Sequence, residues 1–566
     1  MGVLRCHNEE LKRWGVLPSP CVVDGGPVKL STFKIENHSR LADCTIEVRK
    51  HLVIVGPNDV GKSSLLRCLD LLLGASTAAL YGRLDATDFR DKSLPFVVDA
   101  TLTDLKPDDY ALFPDEIYVD PVTGERHLRV QLSVSLDSEE TLSATRTAPD
   151  GSTGRQMSRD QLAGLGWKTV GAAHSTSRDF RDDRNTSLDD IISAIELGDE
   201  EAQFESIAAA FQGQLDGSAV LRKLRSRLSN QLKKALPEGI EQDDLSFVST
   251  ATDDLLSDVR LQIRRKGELR NMTEQSDGAR ALFAIALYDL VAESANIVAI
   301  DEPEIHLHPS SQRSLGRLLR DGANQKILAT HSPDIVGIFD VDDVVVVKPG
   351  GVVVQPSAGF LDDEERLLAH WWVANKLEPL TSRRVALVEG PADRIIIQKA
   401  AELTDRDLDR LGVALVELGG AGDVKYVHKL FGSSGFNVAM SILIDRDAVS
   451  ETETHLGLTE SEFASNSVFV SEADLEDEYT SALGHIELFA ALESSKLFTK
   501  NELRNCTRSG TGGTVLPADV AAFCRFKSSY KVRAALVAAS IMDEASARKV
   551  GSVDALLSDV MERSEW

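Results

Sequence analysis

The sequence predicts an α/β protein with two parallel-sheet domains and a mainly helical C-terminal region. Three observations support this fold class. The apolar run 52–55 leads into a glycine-rich loop and a helical pattern, later apolar runs at 385–388 and 440–444 end in acidic residues, and residues 500–566 have a mainly helical pattern. Strands that alternate with helices and carry functional residues at their ends are typical of parallel sheets, whose sites lie at the carboxyl edge.

The first predicted site is a phosphate-binding loop. Residues 56–63 read Gly-Pro-Asn-Asp-Val-Gly-Lys-Ser, a complete G-x-x-x-x-G-K-S motif between a predicted strand and a predicted helix. In this motif backbone N–H groups and the helix N-terminus point at the phosphates, while the lysine contacts the β- and γ-phosphate oxygens and the serine contacts Mg²⁺. We therefore predict that ATP and Mg²⁺ bind through Asn58, Gly61, Lys62, Ser63 and Ser64.

A second apolar run, 296–300, ends in an acidic pair that suits nucleotide hydrolysis. Hydrolysis requires one carboxylate that holds the metal, often through water, and another that polarises the attacking water. Asp301 and Glu302 follow the run directly, and we assign these two roles to them in that order. Ser276 and Gly278 lie at the start of a helical run, where small residues are well placed to contact a γ-phosphate.

Together these segments resemble the ATP-binding cassette (ABC) ATPases, in the branch shared by chromosome-maintenance and repair proteins. The resemblance implies that Ser276 and Gly278 belong to the signature loop, and that His331 contacts the γ-phosphate. It also implies that two heads enclose two ATP molecules, so that ATP holds a dimer together. We therefore expect a homodimer or a higher homo-oligomer.

The sequence departs from the ABC pattern at two places. The signature loop ends in Ala-Arg instead of Gly-Gln, and no glutamine occurs between Lys62 and Gln131, where one that contacts Mg²⁺ is expected. Asp85 or Asp88 is the candidate substitute. These departures predict slow hydrolysis.

The second predicted site is a group of carboxylates at strand ends. An apolar strand delivers Glu389 to its C-terminal end, and Asp393 lies one helical turn later. Asp445 and Asp447 follow the apolar run 440–444. In an extended chain residues i and i+2 face the same way, so both aspartates can address one metal centre.

This pattern resembles a TOPRIM domain, the domain shared by topoisomerases, primases and several nucleases. The resemblance implies that Glu389 and the Asp445/Asp447 pair bind Mg²⁺. Two-metal TOPRIM nucleases carry further acids after the next strand, and we expect Glu476 in that role ahead of Asp474 or Glu472.

An ABC head followed by TOPRIM in one chain is similar to the OLD (overcoming lysogenisation defect) nuclease family, over nearly the whole length. That family usually has E-G-x-x-E, whereas here Asp393 takes the place of the second glutamate, which predicts looser binding of the second metal. The resemblance also implies a late lysine that steadies transition-state charge; Lys531 is the candidate and Lys527 the alternative. Two cations, Mg²⁺ or Mn²⁺, about 4 Å apart would activate a water and stabilise the leaving oxygen.

Composition limits the cellular setting. The 566 residues are enough for about three to four domains. No apolar run approaches the ~18 residues that a membrane helix needs, and a charged-then-apolar leader is absent. The six cysteines form no C-x-x-C pattern, which argues against structural zinc. We therefore expect a cytoplasmic protein that does not enter a membrane.

Charge bears on the expected partner, DNA. The net charge of −27 opposes phosphate binding, which depends mostly on Lys and Arg. Two basic segments, 222–234 and 264–270, could line a DNA path or could simply balance nearby acids.

The predicted organisation follows the motifs. We expect an N-terminal ATPase lobe, a mainly helical insertion that is a candidate dimerisation element, a C-terminal ATPase lobe, a linker, a TOPRIM nuclease domain and a helical C-terminal region. In that order the predicted ranges are 1–137, 138–260, 261–355, 356–383, 384–499 and 500–566.

The predicted function is an ATP-regulated, metal-dependent DNA endonuclease or nickase. The resemblance suggests a role in defence against phage or mobile DNA or in DNA repair, with a helicase-type partner in some cases. The alternative is an ATP-dependent DNA-binding clamp or sensor that does not cut. Primase- or topoisomerase-like chemistry is less favoured, because the sequence shows no zinc module and no placed tyrosine.

Overall fold

The computed structural model describes residues 28–137, 141–171, 210–235, 241–249, 259–265, 268–271, 295–305, 307–366, 369, 378–418 and 424–563. The predicted signature loop with Ser276 and Gly278 lies outside these ranges, as do residues 367–368 and 370–377 of the predicted linker.

The described strands, in chain order, are β1 (Lys29–Glu36), β2 (Cys44–Glu47), β3 (Leu52–Val55), β4 (Phe96–Thr103), β5 (Ile117–Val119), β6 (Arg126–Leu136), β7 (Leu142–Thr147), β8 (Trp167–Gly171), β9 (Leu245–Ser249), β10 (Val259–Arg265), β11 (Glu268–Asn271), β12 (Ile297–Asp301), β13 (Gln325–Ala329), β14 (Val344–Lys348), β15 (Val352–Val354), β16 (Arg384–Val388), β17 (Val413–Glu417), β18 (Ala439–Ile444) and β19 (Val468–Val470).

The described helices are α1 (Lys62–Leu73), α2 (Thr77–Arg83), α3 (Pro107–Leu112), α4 (Arg159–Gly164), α5 (Ala219–Ala235), α6 (Pro309–Asp321), α7 (Pro333–Val336), α8 (Glu378–Thr381), α9 (Pro391–Leu403), α10 (Leu408–Leu411), α11 (Val424–Phe431), α12 (Val449–Leu456), α13 (Leu475–Leu483), α14 (His485–Ser494), α15 (Lys500–Leu503), α16 (Pro517–Arg525), α17 (Ser528–Ile541), α18 (Glu544–Ala547) and α19 (Gly551–Glu562).

The N-terminal head is built from two sheets. The first is antiparallel, in the order β2-β1-β4-β6-β5, with β7 also paired to β6. The second has the order β15-β14-β3-β13-β12-β8 and is parallel except for β15. All four residues of β3 are buried, as expected for a strand covered on both faces. Leu65 and Leu69 of α1 belong to the core that joins the two sheets.

The head extends further along the chain than the sequence predicted. We expected the helical insertion to begin at residue 138, but β7 pairs with β6 in the first sheet and β8 pairs with β12 in the second. Both strands lie at sheet edges, where polar residues are tolerated. The polar composition of β7 is therefore also typical of a loop, and this is why the sequence did not predict a strand there. The described part of the insertion is α5 with a three-stranded antiparallel sheet in the order β11-β10-β9.

The second parallel sheet carries the later acidic motifs. Its order is β17-β16-β18-β19, and every pairing is parallel. The helices after residue 500 complete one side of this domain, because Ile396 of α9, Val520 of α16 and Leu557 of α19 belong to one buried cluster. A separate buried cluster contains residues of both parallel sheets, among them Val298 and Leu387, so the two domains share a core.

Candidate nucleotide and nuclease sites

The phosphate-binding loop is shaped by two glycines. Gly56 has φ +149°, and a Cβ on it would lie 2.1 Å from the carbonyl oxygen of Val347 on the neighbouring strand β14. Gly61 has φ +109°, and a Cβ there would lie 2.7 Å from the Leu41 side chain. Both positions therefore require glycine, for backbone conformation and for space. The helix α1 starts immediately afterwards, at Lys62.

The Lys62 side chain lies against the loop itself. It is 6% exposed, and its Nζ donates hydrogen bonds to the carbonyl oxygens of Gly56 (3.0 Å) and Pro57 (2.6 Å). Burial lowers the pKa of Lys62, while the nearby carboxylates of Glu302 and Asp301 oppose this shift. The ammonium is thus held at the loop, close to the predicted acidic pair.

Asp301 has the surroundings of a metal ligand. It ends β12, two strands from β3, and its Oδ1 atom is buried without a hydrogen-bond partner. Burial raises the pKa of Asp301, and a hydrogen bond from the Ser63 hydroxyl opposes that shift. An unpartnered buried carboxylate oxygen beside a serine hydroxyl matches the oxygen donors that Mg²⁺ prefers.

Glu302 and His331 are brought together by parallel pairing of β12 and β13. Glu302 has φ +48°, its N–H donates to the Ala329 carbonyl oxygen (2.8 Å), and its Oε1 lies 3.5 Å from His331 Nε2. Burial and Lys62 lower the pKa of His331, while Asp301 opposes this. A strained backbone at Glu302 is typical of a functional position.

Glu304 is a further residue at this site, and no role was predicted for it from the sequence. Its carboxylate accepts hydrogen bonds from the His331 backbone N–H and from Thr330 Oγ1, the latter at 2.7 Å. Burial raises its pKa, and the same two hydrogen bonds oppose the shift. Glu304 thereby fixes the segment that carries His331. The available signal was a second glutamate two residues after Glu302, on a proline-containing turn.

The remaining residues predicted at the nucleotide site lie in the phosphate-binding loop, in the first turn of α1 and in an ion pair beside it. Asn58 is exposed in the loop, and Ser63 and Ser64 form the first turn of α1. Asp88 was a candidate to replace the missing glutamine as a Mg²⁺ contact, but its carboxylate forms an ion pair with Arg67, whose Nη1 lies 2.5 Å from Asp88 Oδ1. The other carboxylate oxygen, Oδ2, accepts a hydrogen bond from the N–H of Asp85 (3.0 Å).

Asp85 is likewise engaged. Its carboxylate accepts a hydrogen bond from the N–H of Thr87 (2.7 Å) and caps the turn 86–88. We therefore do not assign a metal-binding role to Asp85 or Asp88. A capping and ion-pair role explains the acidic pattern that suggested one.

The second site lies where β16 and β18 end. These strands are parallel neighbours, so Glu389 and Asp445, which follow them, stand at the same sheet edge. The backbone N–H of Asp445 donates to Glu389 Oε1 at 3.2 Å. Asp393 stands in the first turn of α9, where its Oδ2 accepts from the N–H of Gly390 at 2.9 Å.

Burial and mutual repulsion disfavour ionisation of these carboxylates. Burial raises the pKa of Asp445 to about 8, and Glu389 and Asp393 add to the shift. Burial raises the pKa of Asp393 to about 6, with a further contribution from Glu389. Glu476, 1% exposed, has a pKa raised by burial to about 7. More carboxyl groups are therefore gathered at this sheet edge than the local environment can hold in their ionised form.

Lys531 is the cation of this cluster. It stands on α17, and its Nζ lies 3.6 Å from Glu476 Oε2. Burial acts against its charge, but Glu476, Asp445 and Asp393 outweigh burial and raise its pKa. The alternative, Lys527, instead has its Nζ over the Phe526 ring, 5.3 Å from the centroid.

The other predicted acids lie around the edge of the cluster. Asp447 is exposed in the turn 446–448. Asp474 caps α13 through the N–H of Asp477 (2.9 Å) and pairs with Arg525 (2.6 Å). Glu472 is exposed. In the described parts of the chain, no three His, Cys, Asp or Glu side chains are grouped closely enough to hold a metal ion as they stand.

Comparisons with known proteins agree with this arrangement. Residues 52–337, about half of the chain, match the family model described as "AAA domain, putative AbiEii toxin, Type IV TA system". Residues 380–447 match the model described as "Overcoming lysogenization defect protein-like, TOPRIM domain". In the described ranges, no helix is long and apolar enough to cross a membrane.

Three curated proteins are similar to this chain. Endonuclease GajA of Bacillus cereus (strain VD045) is 25% identical over 235 residues, which is 39% of this chain and 40% of that protein. The OLD nuclease of Thermus scotoductus is 23% identical, covering 70% of this chain and 78% of the relative. The Old nuclease of Escherichia phage P2 is 20% identical, covering 75% and 78% respectively. The match thus spans less than half the length of GajA and about three quarters of the other two relatives.

The fold and the two sites define an enzyme of the ATPase class that also carries a TOPRIM nuclease domain. The chain belongs to the family described as "AAA domain, putative AbiEii toxin, Type IV TA system", and in it this ATPase domain is followed by an OLD-like TOPRIM domain.

Proposed function

We propose that this chain is an ATP-regulated, metal-dependent DNA endonuclease or nickase. The observation that carries the proposal is the group of carboxylates that surrounds the Lys531 ammonium at one sheet edge. Three of them, Asp393, Asp445 and Glu476, have raised pKa values because burial and neighbouring carboxylates disfavour their charge. Divalent cations would offset this excess of negative charge and make the ionised forms favourable.

The roles at this site follow from the side chains present. Mg²⁺ or Mn²⁺ bound there would activate a water and stabilise the leaving oxygen of a phosphodiester. Lys531 is placed to stabilise the negative charge that develops on the phosphate group. Asp393 is shorter than a glutamate, and its Oδ2 already accepts a hydrogen bond from the Gly390 N–H. We therefore expect it to bind the second metal more loosely than a glutamate would. The ligands we propose are Glu389, Asp393, Asp445, Asp447 and Glu476.

The head would bind ATP with Mg²⁺. Lys62 can exchange its bonds to the Gly56 and Pro57 carbonyls for bonds to phosphate oxygens. Ser63 and Asp301 would hold the metal. Glu302 would polarise the attacking water. His331, fixed by Glu304, would contact the γ-phosphate, and Ser276 and Gly278 would belong to the loop that a second head receives.

The proposal extends to the assembly and its setting. We propose a homo-oligomer joined through the heads, cytoplasmic and acting in defence against foreign DNA or in repair, in some settings with a helicase-type partner. Support comes from the curated proteins that are similar to this chain, which include one named endonuclease GajA and two named OLD nuclease.

A substitution in the carboxylate cluster tests the cutting activity. Asp445→Asn preserves size but removes a charge, and cutting of supercoiled and linear DNA in Mg²⁺ or Mn²⁺ should fall at least about 100-fold, since even loss of a residue that only supports a metal ligand costs 10–100-fold. Asp409→Asn is the matched control, because Asp409 is exposed on α10 of the same domain. Gels run with and without ATP give the direction of the regulation.

The alternative is an ATP-dependent DNA-binding clamp or sensor that does not cut. It is favoured by the spacing of the acids, since no three of the described His, Cys, Asp or Glu side chains stand close enough to hold an ion. The two functions differ in the same assay. A clamp retains DNA in an ATP-dependent manner, cuts it under no condition, and is unaffected by Asp445→Asn.

A further inference from the structure

The described part of the insertion contains a strongly cationic helix. α5 spans 17 residues and contains no aspartate or glutamate. The whole chain, by contrast, has 89 Asp and Glu residues and a net charge of −27. The basic residues of α5 are Arg222, Lys223, Arg225, Arg227, Lys233 and Lys234.

One face of α5 is used for folding. Leu228 and Leu232 are fully buried, and the helix packs against β9 and against α6 of the head. Arg225 also serves the fold, because its guanidinium donates to the backbone carbonyl oxygens of Leu245 and Asp216. The apolar side of the helix is therefore already occupied by its own domain.

The opposite face is exposed and basic. Val220, Lys223, Arg227, Asn230 and Lys234 recur at intervals of three and four residues, which places them on one side of a helix. Val220 is 77% exposed. Lys223, Asn230 and Lys234 are exposed as well, and Arg227 is half-buried.

Few acids neutralise this face. Lys233, at its border, pairs with Glu241 at 2.7 Å. Lys234 is near Asp321, which is itself hydrogen-bonded to Arg320. In the described part of the chain, no carboxylate forms an ion pair with Lys223 or Lys234.

This charge pattern does not stabilise the helix. Lys223 and Arg227 are four residues apart, where like charges repel each other and weaken a helix. A polyanion bound to this face would relieve the repulsion between its cations. Duplex DNA is such a polyanion, since it carries one negative charge per ~1.7 Å of its axis. With a rise of 1.5 Å per residue, the cations of α5 from Arg222 to Lys234 extend over ~18 Å.

We propose that the exposed face of α5, defined by Lys223 and Lys234 with Arg222 at its side, binds the phosphate backbone of DNA. The inference rests on the proposed DNA nuclease function and deepens it by naming the surface that holds the substrate. Contacts of this kind position DNA without reading its sequence. A second copy of the chain fits this face poorly, because a symmetric contact would bring two cationic helices together.

Salt-dependent DNA binding tests the proposal. The variant Arg222→Gln/Lys223→Gln/Lys234→Gln is made in the full chain carrying Asp445→Asn, and binding to a labelled 30-base-pair duplex is followed by fluorescence anisotropy at several salt concentrations. Loss of three phosphate contacts should flatten the slope of log K against log[salt] by about 2.7, because each contact contributes about 0.9. The control removes three exposed lysines elsewhere, Lys496→Gln/Lys500→Gln/Lys549→Gln, and should leave the slope unchanged.

The outcomes separate this inference from the proposed function. An unchanged slope in the α5 variant, when the wild-type chain binds and cuts DNA, overturns the α5 surface and leaves the nuclease intact. Weaker self-association in sedimentation velocity, with DNA binding unchanged, also overturns it and assigns the face to a second copy. A wild-type chain that neither binds nor cuts DNA refutes both. The charge reversal Lys234→Glu should weaken DNA binding more than Lys234→Gln does.

Discussion

Two buried histidines in the head are held in their neutral form. His51 Nδ1 accepts a hydrogen bond from the Lys326 N–H at 3.1 Å, and His38 Nδ1 accepts one from the Arg40 N–H at 3.0 Å. Burial lowers the pKa of each to about 4, from an ordinary value of 6.5. Protonation would place a charge in the core and remove the acceptor.

These histidines predict loss of stability in acid. Between about pH 6.5 and pH 4 the unfolded chain binds protons that the folded chain does not, so stability is full above pH 6.5 and falls as the pH drops through the folded pKa. The loss is at most about 3 kcal/mol for each histidine. His51→Asn keeps an acceptor in place and removes the titration, so denaturant midpoints at pH 7.5 and 5 should differ less in the variant.

Wild type and His51→Asn must be compared at each pH, because other titratable groups change the stability with pH in the opposite direction. Asp445 and Glu476 have raised pKa values, so their contribution to stability grows as the pH falls. Equal changes of midpoint with pH in wild type and His51→Asn would contradict the prediction.

At the scale of elements, the phosphate-binding loop depends on the contact between β3 and β14. Val345 pairs with Ile54 in parallel register, and this register places the Val347 carbonyl oxygen against Gly56. The loop is therefore formed by its own glycines together with a strand that lies nearly 300 residues later in the sequence.

Gly56→Ala should destabilise the head. The added Cβ would lie 2.1 Å from the Val347 oxygen, at a backbone conformation of φ +149°. Overpacking and left-handed strain together cost about 2–4 kcal/mol. Thermal unfolding and ATP-analogue binding check this prediction, and both should be impaired. The control is Gly82→Ala in α2, where a Cβ would meet nothing within 4 Å and stability should be equal or slightly higher. Equal melting temperatures for both variants would refute the explanation.

At the scale of the whole molecule, the two sites are linked by a short path. Lys348 ends β14, next to Val347, and its Nζ donates to the carbonyl oxygen of Asn437. Asn437 lies two residues before the start of β18, and Asp445 directly follows the end of β18. Two further contacts join the segment that follows the head to the second domain: the Phe360–Phe436 ring pair at 6.4 Å and the Lys429–Glu365 ion pair.

Lys348→Met should uncouple cutting from ATP. It removes the hydrogen bond between the domains but leaves the residues assigned to both sites unchanged. The ratio of DNA-cutting rates with and without a non-hydrolysable ATP analogue should move towards one, while ATP hydrolysis is retained. The control Lys168→Met changes an exposed lysine on β8, at the far edge of the same sheet. A variant that keeps the wild-type ratio would show that the regulation takes another route.

The sequence by itself determined the two motifs, the order of the domains and the parallel sheets. These depend on local properties: a glycine-rich loop between a buried strand and a helix at 52–73, and acids that directly follow apolar strands, such as Glu389 and Asp445. Strand periodicity and motif spacing are expressed within a few residues, so they can be recognised without knowing what packs against them.

Only the tertiary structure decided which distant residues join these motifs. Lys531 meets Glu476 because α17 packs on α13, and Glu304 holds His331 because β12 and β13 are neighbours. The roles of β7 and β8, and of Asp88 as the partner of Arg67, were likewise set by packing. Contacts between residues far apart in sequence are chosen by the burial and pairing of whole elements, and the local pattern of each segment does not contain that information.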